Sequence, residues 1–421
     1  MTQQYKYLHF IDYILFQRWD VKAYAFQQKV FKNAVLLREI LTPYNVPLSK
    51  EKMIDKGWSI IAKINFAGEL FLRAPENTKT FKGNVHEIDG ETLIYSKINV
   101  RHGCVYYHPK DSIPFGVSSE YPAYKIDNKR VNGDFLVLLL QSQYFKNALS
   151  AGTSGISKAR VKPNVFLDIQ IPLPSLAEQN KIIAAYRATI AQAKQYSTQA
   201  KDIDKQIEKY LNISLGIEES SVKKHESGKL YFMSSNQLTR WDVWNVSTNG
   251  YSKKYPLHYL HNVIIMQSGK FLPSKAQKGG EYNVYGGNGL TGTHNEFCFT
   301  GKRIVIGRVG EYCGNVHLID GNYWITDNAL KVDKIADEVT WDFLAIALQA
   351  LNINQYRSIS AQPSISQTKI LQLQIPIPPL HTQNEIVEHI TRLRKKQKDL
   401  QQKSLTLRQQ ATQQFEQIIF N

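Results

Sequence analysis

Between Ser175 and Leu215 the apolar positions recur with the alternating three- and four-residue spacing of a heptad seam. The seam consists of Ile182, Tyr186, Thr189, Ala193, Tyr196, Ala200, Ile203, Ile207 and Tyr210. A second seam with the same alternation consists of Ile386, Ile390, Leu393, Gln397, Leu400, Ser404, Leu407, Ala411, Gln414 and Ile418. Ser175 and Glu178 form a capping-box pattern directly after Pro174, which predicts a helix start. The chain is therefore predicted to contain two long amphipathic helices.

The two helices belong to a repeated sequence. QIPLPSLAEQNKI at 170–182 returns as QIPIPPLHTQNEI at 374–386, an offset of 204 residues. Upstream of each copy the chain also repeats RWDV, at 18–21 and 240–243, which we interpret as core packing. The same offset places Ile386 on Ile182, so both seams share one register. The chain is a tandem duplication whose helices, each roughly 60 Å long, would pack most simply on each other and act as a spacer. The alternative is that each helix packs separately on its own domain.

Each helix follows a stretch rich in Val, Ile, Tyr, Phe and glycine turns, with short helical patterns near its end. This composition predicts a mixed α/β (α+β) globule with a twisted or barrel-like sheet in each half. We place the first globule at 1–170, the first helical region at 171–215, the second globule at 216–372 and the second helical region at 373–421. The polar segment 216–229 is predicted to be a linker.

The formal net charge of +16 and pI of about 9.4 favour a polyanionic partner, above all nucleic acid. The alternative is that the excess of lysine serves solubility. Three cysteines (Cys104, Cys298 and Cys313) form no CxxC pair, which argues against a disulfide scaffold and a zinc site. The longest apolar run, 135–140, is too short for a membrane span, and no secretory signal pattern is found at the start. A reducing, cytoplasmic location is expected.

A search for catalytic motifs finds no P-loop, no HExxH and no metal-ligand spacing of cysteine and histidine. The glycine-rich segment 286–289 lacks a following helix, so a plain turn is favoured over a cofactor loop. The sequence therefore predicts a binding protein without a cofactor or metal of its own. Two alternatives stay open: a single-chain DNA modification or restriction enzyme with diverged motifs, and a coiled-coil adaptor that binds protein.

Loops that mix basic, amide, glycine and aromatic residues supply the groups needed to hold phosphates and read base edges. The candidate DNA-binding residues are Lys97, Asn99, Arg101, Ser157, Lys158, Arg160, Lys162, Tyr285, Asn288, Arg303, Arg308, Gln362, Ser364 and Lys369. Each of these loops could also be an ordinary solvated surface, and the strand-like segment 303–308 could carry its arginines for a structural reason.

At this point the motifs match a known family. IPLPSLAEQ at 171–179 and IPIPPLHTQ at 375–383, each followed by an amphipathic helix, resemble the helical regions of the specificity (S) subunits of Type I restriction-modification systems. YNVYGGNGLTG at 282–292, IVIGRVGEYCGNV at 304–316 and WITDNAL at 324–330 resemble one class of target-recognition domain, and SKINVRHG at 96–103 resembles another. The resemblance covers nearly the whole chain.

The resemblance implies two target-recognition domains that each contact one half of a split, asymmetric DNA site, with different sequences read by the two. Paired antiparallel helices would fix the gap between the halves. They would also dock two modification (M) subunits, which bring S-adenosylmethionine and methylate adenine, while restriction (R) subunits supply cleavage driven by ATP with Mg. The positions expected to pair the helices or dock partners are Gln179, Ile182, Tyr186, Ile203, Ile207, Gln383, Ile386, Ile390, Leu393, Leu400 and Leu407. The second helix lacks the Ser-x-x-Glu cap of the first, so its start is left open.

Overall fold

The computed structural model describes residues 31, 33–73, 81, 83–151, 160–217, 252, 254–358 and 362–420. Both RWDV motifs, Ser157, Lys158 and nearly all of the predicted linker lie outside the described residues. The chain divides into two compact units. The first unit is Met1–Gln195 with Lys403–Asn421, and the second is Tyr196–Gln402. Each unit therefore contains a globule and parts of both long helices.

The first unit is built around a four-stranded antiparallel sheet. Its strands are β1 (Ala34–Leu36), β2 (Leu41–Tyr44), β3 (Val46–Leu48), β4 (Ile61–Ile64), β5 (Leu70–Leu72), β6 (Val85–Ile88), β7 (Thr92–Tyr95), β8 (Val105–His108), β9 (Phe115–Val117), β10 (Ala123–Ile126) and β11 (Gln170–Pro172). Its helices are α1 (Lys50–Asp55), α2 (Gly133–Leu140), α3 (Gln143–Ala151) and α4 (Pro163–Leu167), and the long helix α5 (Leu176–Leu215) follows. The main sheet has the order β2-β10-β7-β8, and β3-β6-β9, β4-β5 and β1-β11 form smaller sheets.

Strand β7 is buried at all four positions because it separates two cores. Successive side chains of a strand point to opposite faces. Leu93 therefore packs in the core that contains Phe135 of α2, whereas its neighbour Ile94 packs in the core that contains Phe115 of β9. The sheet is thus covered on both faces, which explains why Leu93, Ile94 and Tyr95 are apolar at successive positions.

The second unit repeats this sheet. Its strands are β12 (Leu257–Tyr259), β13 (Ile264–Ser268), β14 (Tyr282–Gly286), β15 (Gly289–His294), β16 (Phe299–Thr300), β17 (Arg303–Gly307), β18 (Val316–Ile319), β19 (Asn322–Ile325), β20 (Ala329–Ile335) and β21 (Gln374–Pro376). Its helices are α6 (Leu260–Val263), α7 (Trp341–Ala350) and α8 (Gln367–Leu371), followed by the long helix α9 (Leu380–Phe420). The sheet β13-β20-β17-β18 has the order and antiparallel pairing of β2-β10-β7-β8.

The equivalence extends to the packing of the central strand. Ile304 and Ile306 of β17 lie in the core with Phe343 of α7, while Val305 lies in a separate core with Tyr323. The predicted mixed α/β class is confirmed. The described sheets are open, however, and none of them closes into a barrel.

The first long helix begins as its capping box predicts. The Ser175 N–H donates to the Glu178 carboxylate (2.9 Å), and the Ser175 hydroxyl donates to the same oxygen (2.7 Å). The second long helix has no such box and begins at Leu380, directly after Pro379. Within the helical ranges that the structure describes, no helix is long and apolar enough to cross a bilayer.

Inside each unit the two long helices run antiparallel. In the second unit the Gln397 side chain donates to the carbonyl of Ala200 (3.0 Å), and Tyr210 stacks on His389 with ring centroids 4.0 Å apart. Later positions of α5 therefore contact earlier positions of α9. In the first unit the Ser404 hydroxyl donates to the carbonyl of Ala193 (2.7 Å). Gln397 and Ser404, two polar seam positions of α9, therefore each bind the main-chain carbonyl of an alanine on the facing helix.

Candidate nucleic-acid interface

In each unit a loop joins the third strand of the four-stranded sheet to the fourth, and a later segment returns to pair with the start of that loop. In the first unit the loop is 96–104 and the returning segment is 160–162; we call them the first edge. In the second unit the loop is 308–315 and the returning segment is 362–366; we call them the second edge. Most of the predicted DNA-binding residues that are described lie at these two edges.

The first edge is organised around Lys97. The Val161 N–H donates to the carbonyl of Lys97 (2.8 Å), and the Lys97 N–H donates to the carbonyl of Glu120 (3.1 Å). The Arg160 guanidinium lies 3.1 Å from the Glu120 carboxylate. This ion pair is largely exposed, so it contributes little stability and leaves the guanidinium accessible. Glu120 thus contacts both segments, the Lys97 main chain through its carbonyl and the Arg160 side chain through its carboxylate.

The remaining polar residues of the first edge lie in the same two segments. The Asn99 N–H donates to the carbonyl of Ser96 (3.2 Å), so the loop is closed by its own main chain. Asn99 and Arg101 are half-buried, and Lys162 is exposed. Lys97, Asn99, Arg101, Arg160 and Lys162 therefore lie on two segments that the hydrogen bond from Val161 to Lys97 holds together.

The second edge is organised around Arg308. Its N–H donates to the carbonyl of Asn328 (3.0 Å), and its carbonyl accepts from the N–H of Ile365 (2.9 Å). The exposed guanidinium donates to the hydroxyl of Ser268 (3.2 Å) at the end of β13. Ser364 pairs with Val309 in an isolated antiparallel bridge. Arg308 and Ser364 therefore lie on neighbouring segments, and the exposed Gln362 is two residues from that bridge.

The turn between β14 and β15 is packed against this edge through two glycines. A Cβ at Gly307 would lie 2.1 Å from the carbonyl oxygen of Gly287, and one at Gly287 would lie 2.8 Å from that of Val309. Only residues without a side chain allow this approach. It places the exposed Asn288 next to the loop that begins at Arg308.

The ring of His317 packs against the same turn at Gly289. A Cβ at Gly289, which has a φ of +82°, would lie 2.9 Å from the His317 ring. Burial lowers the pKa of His317 below its ordinary value, because the charged form is poorly solvated there. The imidazole is therefore neutral at pH 7 and acts as an uncharged packing surface rather than as a phosphate ligand.

The two edges are equivalent in their main-chain hydrogen bonds. Val161 and Ile365 are separated by the repeat offset of 204, and their N–H groups donate to Lys97 and Arg308 respectively. Lys97 and Arg308 are thus structural counterparts, a relation that the sequence analysis missed. They differ by 211 positions because the lengths of the intervening loops differ. The signal lay in the returning segments, which keep the repeat offset in both halves.

Three predicted residues do not point to the second edge. Arg303 begins β17, about 16 Å along the strand from Arg308. Its guanidinium donates to the carbonyl of Asp333 (3.3 Å), so the structural alternative applies to it. The Lys369 ammonium donates to the carbonyl of Tyr356 (3.2 Å), which ties α8 to a preceding turn. Tyr285 is half-buried against Tyr323 with ring centroids 6.0 Å apart. Packing and internal hydrogen bonds account for all three.

Gln179 and Gln383 also have a different place from the one predicted. Each is 0% exposed, so neither reaches the helix seam or a partner surface. The Gln179 amide donates to the carbonyls of Arg130 (2.9 Å) and Pro174 (2.8 Å), and its oxygen accepts from the N–H of Asn132 (2.8 Å). The side chain therefore joins the start of α5 to Asn132, the residue that caps α2.

Gln383 makes the same three bonds in the second unit. Its amide donates to the carbonyls of Glu338 (2.7 Å) and Pro378 (2.9 Å), and its oxygen accepts from the N–H of Thr340 (2.9 Å). Thr340 caps α7, the counterpart of α2. These two glutamines are anchors between a globule and its own helix.

The predicted seam positions divide into two groups. Ile203 and Leu400 pack together, with Leu393 and Ile207 beside them, as a helix pair requires. In contrast, Ile182 and Tyr186 pack on the core of the first globule, and Ile386 and Ile390 are buried in the core of the second. Leu407 is half-buried. Mid-helix positions therefore pair the helices. The helix starts pack on their own globules and also touch the facing helix, since the Tyr186 ring lies 6.5 Å from that of Phe415 and His389 stacks on Tyr210.

In the part of the chain that the structure describes, no group of three His, Cys, Asp or Glu side chains is placed to hold a metal ion. The three cysteines are free, and burial raises the pKa of each thiol. The two edges therefore offer basic, amide and hydroxyl side chains for binding a ligand.

Comparison with known proteins connects this architecture to a family. A family model described as the Type I restriction modification DNA specificity domain matches residues 258–407. The specificity subunit of the Type I restriction enzyme EcoprrI from Escherichia coli is 32% identical over 123 residues, which cover 29% of this chain and 28% of that subunit. The StySPI specificity subunit from Salmonella potsdam is 25% identical over 288 residues, 63% of this chain and 59% of that subunit. Residues 258–407 therefore match the Type I restriction modification DNA specificity domain, and the chain is similar to Type I specificity subunits over the ranges given.

The alignments with these specificity subunits span less than two thirds of either relative. Solved structures match over most of both chains. A chain from a study of complex assembly and conformational transition in the Type I system has a TM-score of 0.57 at 16% identity, over 92% of this chain and 96% of that one. The S subunit from M. genitalium has a TM-score of 0.50 at 14% identity, over 94% and 98%. At such identities these matches establish the specificity-subunit fold alone.

Proposed function

We propose that this chain is the non-catalytic DNA-reading subunit of a Type I restriction-modification complex. The observation that carries the proposal is the pair of edges. Both are held by the same main-chain hydrogen bonds, yet one carries Lys97 with Arg160 and the other carries Arg308 with Ser268. A constant frame with different side chains is what two domains need if each reads a different half of a split site.

The side chains at the two edges differ in what they recognise. A guanidinium such as that of Arg308 forms two parallel hydrogen bonds to guanine in the major groove, whereas the ammonium of Lys97 acts as a point charge. The net charge of +16 supplies the sequence-independent attraction to phosphate. Each phosphate neutralised should then contribute about 0.9 to the slope of log affinity against log salt concentration.

The long helices are proposed to set the gap between the half-sites and to dock two modification subunits. Those subunits would bring S-adenosylmethionine and methylate adenine, and restriction subunits would add ATP- and Mg-dependent cleavage. Their polar outer faces support a role as a docking surface, while the burial of Ile203 and Ala200 in the helix pair supports a role as a rod of fixed length.

The deciding experiment is genome-wide detection of methylated adenine in cells that express this chain with its candidate modification subunit. A split, asymmetric motif that appears only when the chain is present supports the proposal and identifies the target. If the modification subunit is active but no new methylation appears, the chain is instead a protein-binding adaptor. Methyl transfer by the purified chain alone would make it a single-chain enzyme.

The spacer role has its own test. One heptad inserted after Gln195 of α5, with a second inserted after Gln402 of α9 to keep the helices matched, adds about 10 Å of helix. The methylated motif should keep both halves and gain about three base pairs in its gap, given 3.4 Å per base pair. An unchanged gap would contradict the spacer role and leave the reading role intact.

A further inference from the structure

Phe66 is an exposed phenyl ring at the tip of the β4–β5 hairpin of the first unit, with 65% of its surface accessible. Leaving a large apolar side chain in water forgoes the stabilisation that burial gives. A single exposed phenylalanine is unremarkable when its backbone is loose and its neighbours are solvent. Neither condition holds for Phe66.

The turn that carries Phe66 is closed by a set of short hydrogen bonds. The Asn65 side-chain oxygen accepts from the N–H groups of Ala67 (3.0 Å) and Glu69 (2.8 Å), and its amide donates to the Glu69 carboxylate (2.8 Å). The Gly68 N–H donates to the carbonyl of Asn65 (3.0 Å). An asparagine that binds its own following backbone stabilises a tight turn. The ring is therefore presented from a fixed backbone.

The turn is also pressed against the first edge. A Cβ at Gly68, which has a φ of +79°, would lie 1.9 Å from the Gln141 amide nitrogen and 2.9 Å from the carbonyl oxygen of Val105. Gln141 in turn donates to the carbonyls of Gly103 and Val105, each at 3.3 Å. Only glycine permits this approach, so the position of the hairpin tip relative to the loop 96–104 is built into the sequence.

The contact partner of the ring belongs to the first edge. The Phe66 ring lies 5.2 Å from the ring of His102, with the two planes tilted by 47°. His102 is exposed and follows Arg101 in the loop that also carries Lys97 and Asn99. An apolar ring thus lies directly beside the basic and amide side chains proposed to contact DNA.

We propose that Phe66 is a wedge that inserts at a base step of the half-site contacted by the first edge, with His102 packed behind it. This inference rests on the proposed function. A protein surface would be the other occupant of an exposed ring, but the basic side chains around it favour a polyanion. Apolar wedges that enter a base step unstack it and kink the duplex. The step should then be one that deforms readily, such as a pyrimidine–purine step.

The test uses the whole chain with its modification subunit and compares Phe66→Ala with Phe66→Leu and with Ile113→Ala. Ile113 is 78% exposed and follows the far end of β8, so it controls for the loss of an exposed apolar side chain away from the edge. The first readout is the methylated-adenine motif in cells. The second is the affinity for a duplex that carries the wild-type motif, measured by fluorescence anisotropy.

Phe66→Ala should weaken binding about tenfold and relax base preference in one half of the motif only, while its thermal midpoint stays that of the wild type. Phe66→Leu should recover most of the affinity because aliphatic side chains also serve as wedges. Ile113→Ala should behave as wild type. Equal affinity and an unchanged motif for Phe66→Ala would overturn the wedge while leaving the reading role standing, whereas absence of any motif with the wild-type chain would remove the reading role itself.

A direct signal comes from 2-aminopurine placed at successive positions of the same half-site. The wild-type complex should raise its fluorescence at one step, because an unstacked base is less quenched, and Phe66→Ala should abolish the increase. If no position responds to the wild-type complex, insertion does not occur and the proposal is wrong.

Discussion

The two units share a frame and differ at the surface that the frame presents. The sheet order, the alternation of the central strand between two cores and the buried glutamine anchor recur in both. At the edges only the backbone corresponds, and the side chains differ. Lys97 of the first unit is equivalent to Arg308 of the second, and Arg160 is equivalent to Ser364. The comparison teaches that the duplication preserved the residues that fix the backbone and let the residues proposed to contact DNA diverge.

The additions to the frame also differ. The first unit carries the β4–β5 hairpin with Phe66 at its tip, while the second carries the sheet β15-β14-β19-β16, whose turn places Asn288 beside Arg308. Each addition reaches the same end of the main sheet by a different route. Two half-sites of different sequence would require such a difference.

The largest expected effect comes from removing a glutamine anchor. Gln383→Leu removes the partner of the Pro378 carbonyl in a buried hydrogen bond, and of the Thr340 N–H and the Glu338 carbonyl in part-buried ones. At 1–3 kcal/mol for a buried unsatisfied group, with less for the part-buried ones, we expect a loss of about 3 kcal/mol in the free energy of unfolding. Urea denaturation measures it, and hydrogen exchange should locate the loss in the second unit. Gln179→Leu should give the mirror result in the first unit.

Gln206→Leu provides the control, since Gln206 is an exposed glutamine of α5. It should change stability by less than about 0.5 kcal/mol. If Gln383→Leu is as mild as this control, the anchor role is wrong.

The next effect separates the two edges. Arg308→Ala should weaken binding to the methylated motif by about 1–3 kcal/mol and relax one half of it, as expected for a base contact. Arg160→Ala should instead lower the salt slope by about 0.9 with both halves intact, because its guanidinium is shared with Glu120 and serves a phosphate. Anisotropy titrations over a range of salt concentrations measure both. If both variants lose the same affinity and the same salt slope, the assignment of Arg308 to a base and of Arg160 to a phosphate is wrong.

A smaller effect distinguishes Arg303, at the start of β17, from Arg308, directly after its end. Arg303→Met removes the hydrogen bond to the Asp333 carbonyl and should lower stability by about 1 kcal/mol without altering DNA affinity. Arg308→Met should do the reverse. Thermal unfolding and anisotropy on the same preparations give both values, and a loss of DNA affinity in Arg303→Met would return Arg303 to the binding surface.

The smallest effect concerns the helix starts. Ser175→Ala should lower stability by about 1 kcal/mol, whereas Thr382→Ala, at the uncapped start of α9, should have almost none. Hydrogen bonds from Ser175 lower the pKa of Glu178 below its ordinary value of 4.5. The stabilisation is therefore complete above that value and is lost as pH falls through the lowered pKa. The difference in thermal midpoint between wild type and Ser175→Ala should shrink on acidification, and a constant difference would exclude the capping box as its source.

Some of this architecture follows from local pattern alone. The heptad spacing and the Ser175 cap determine a helix from Leu176 to Leu215, and the repeat offset of 204 places its counterpart correctly even without a cap. These features depend on residues that are close in the chain, so a single sequence carries them in full.

Tertiary structure decided which of the candidate residues meet. Gln179 binds the carbonyl of Arg130 and the N–H of Asn132, 49 and 47 positions away. The equivalence of Lys97 and Arg308 is visible only through the hydrogen bonds that bring Val161 and Ile365 back to each edge. Arg303 begins β17 and Arg308 directly follows it, yet hydrogen bonds to distant segments tie Arg303 to Asp333 and Arg308 to Ser268 at the second edge. Sequence determines periodicity and caps because these arise from bonds between near neighbours; the composition of a site is set by contacts between distant segments, whose geometry exists only once the sheet has formed.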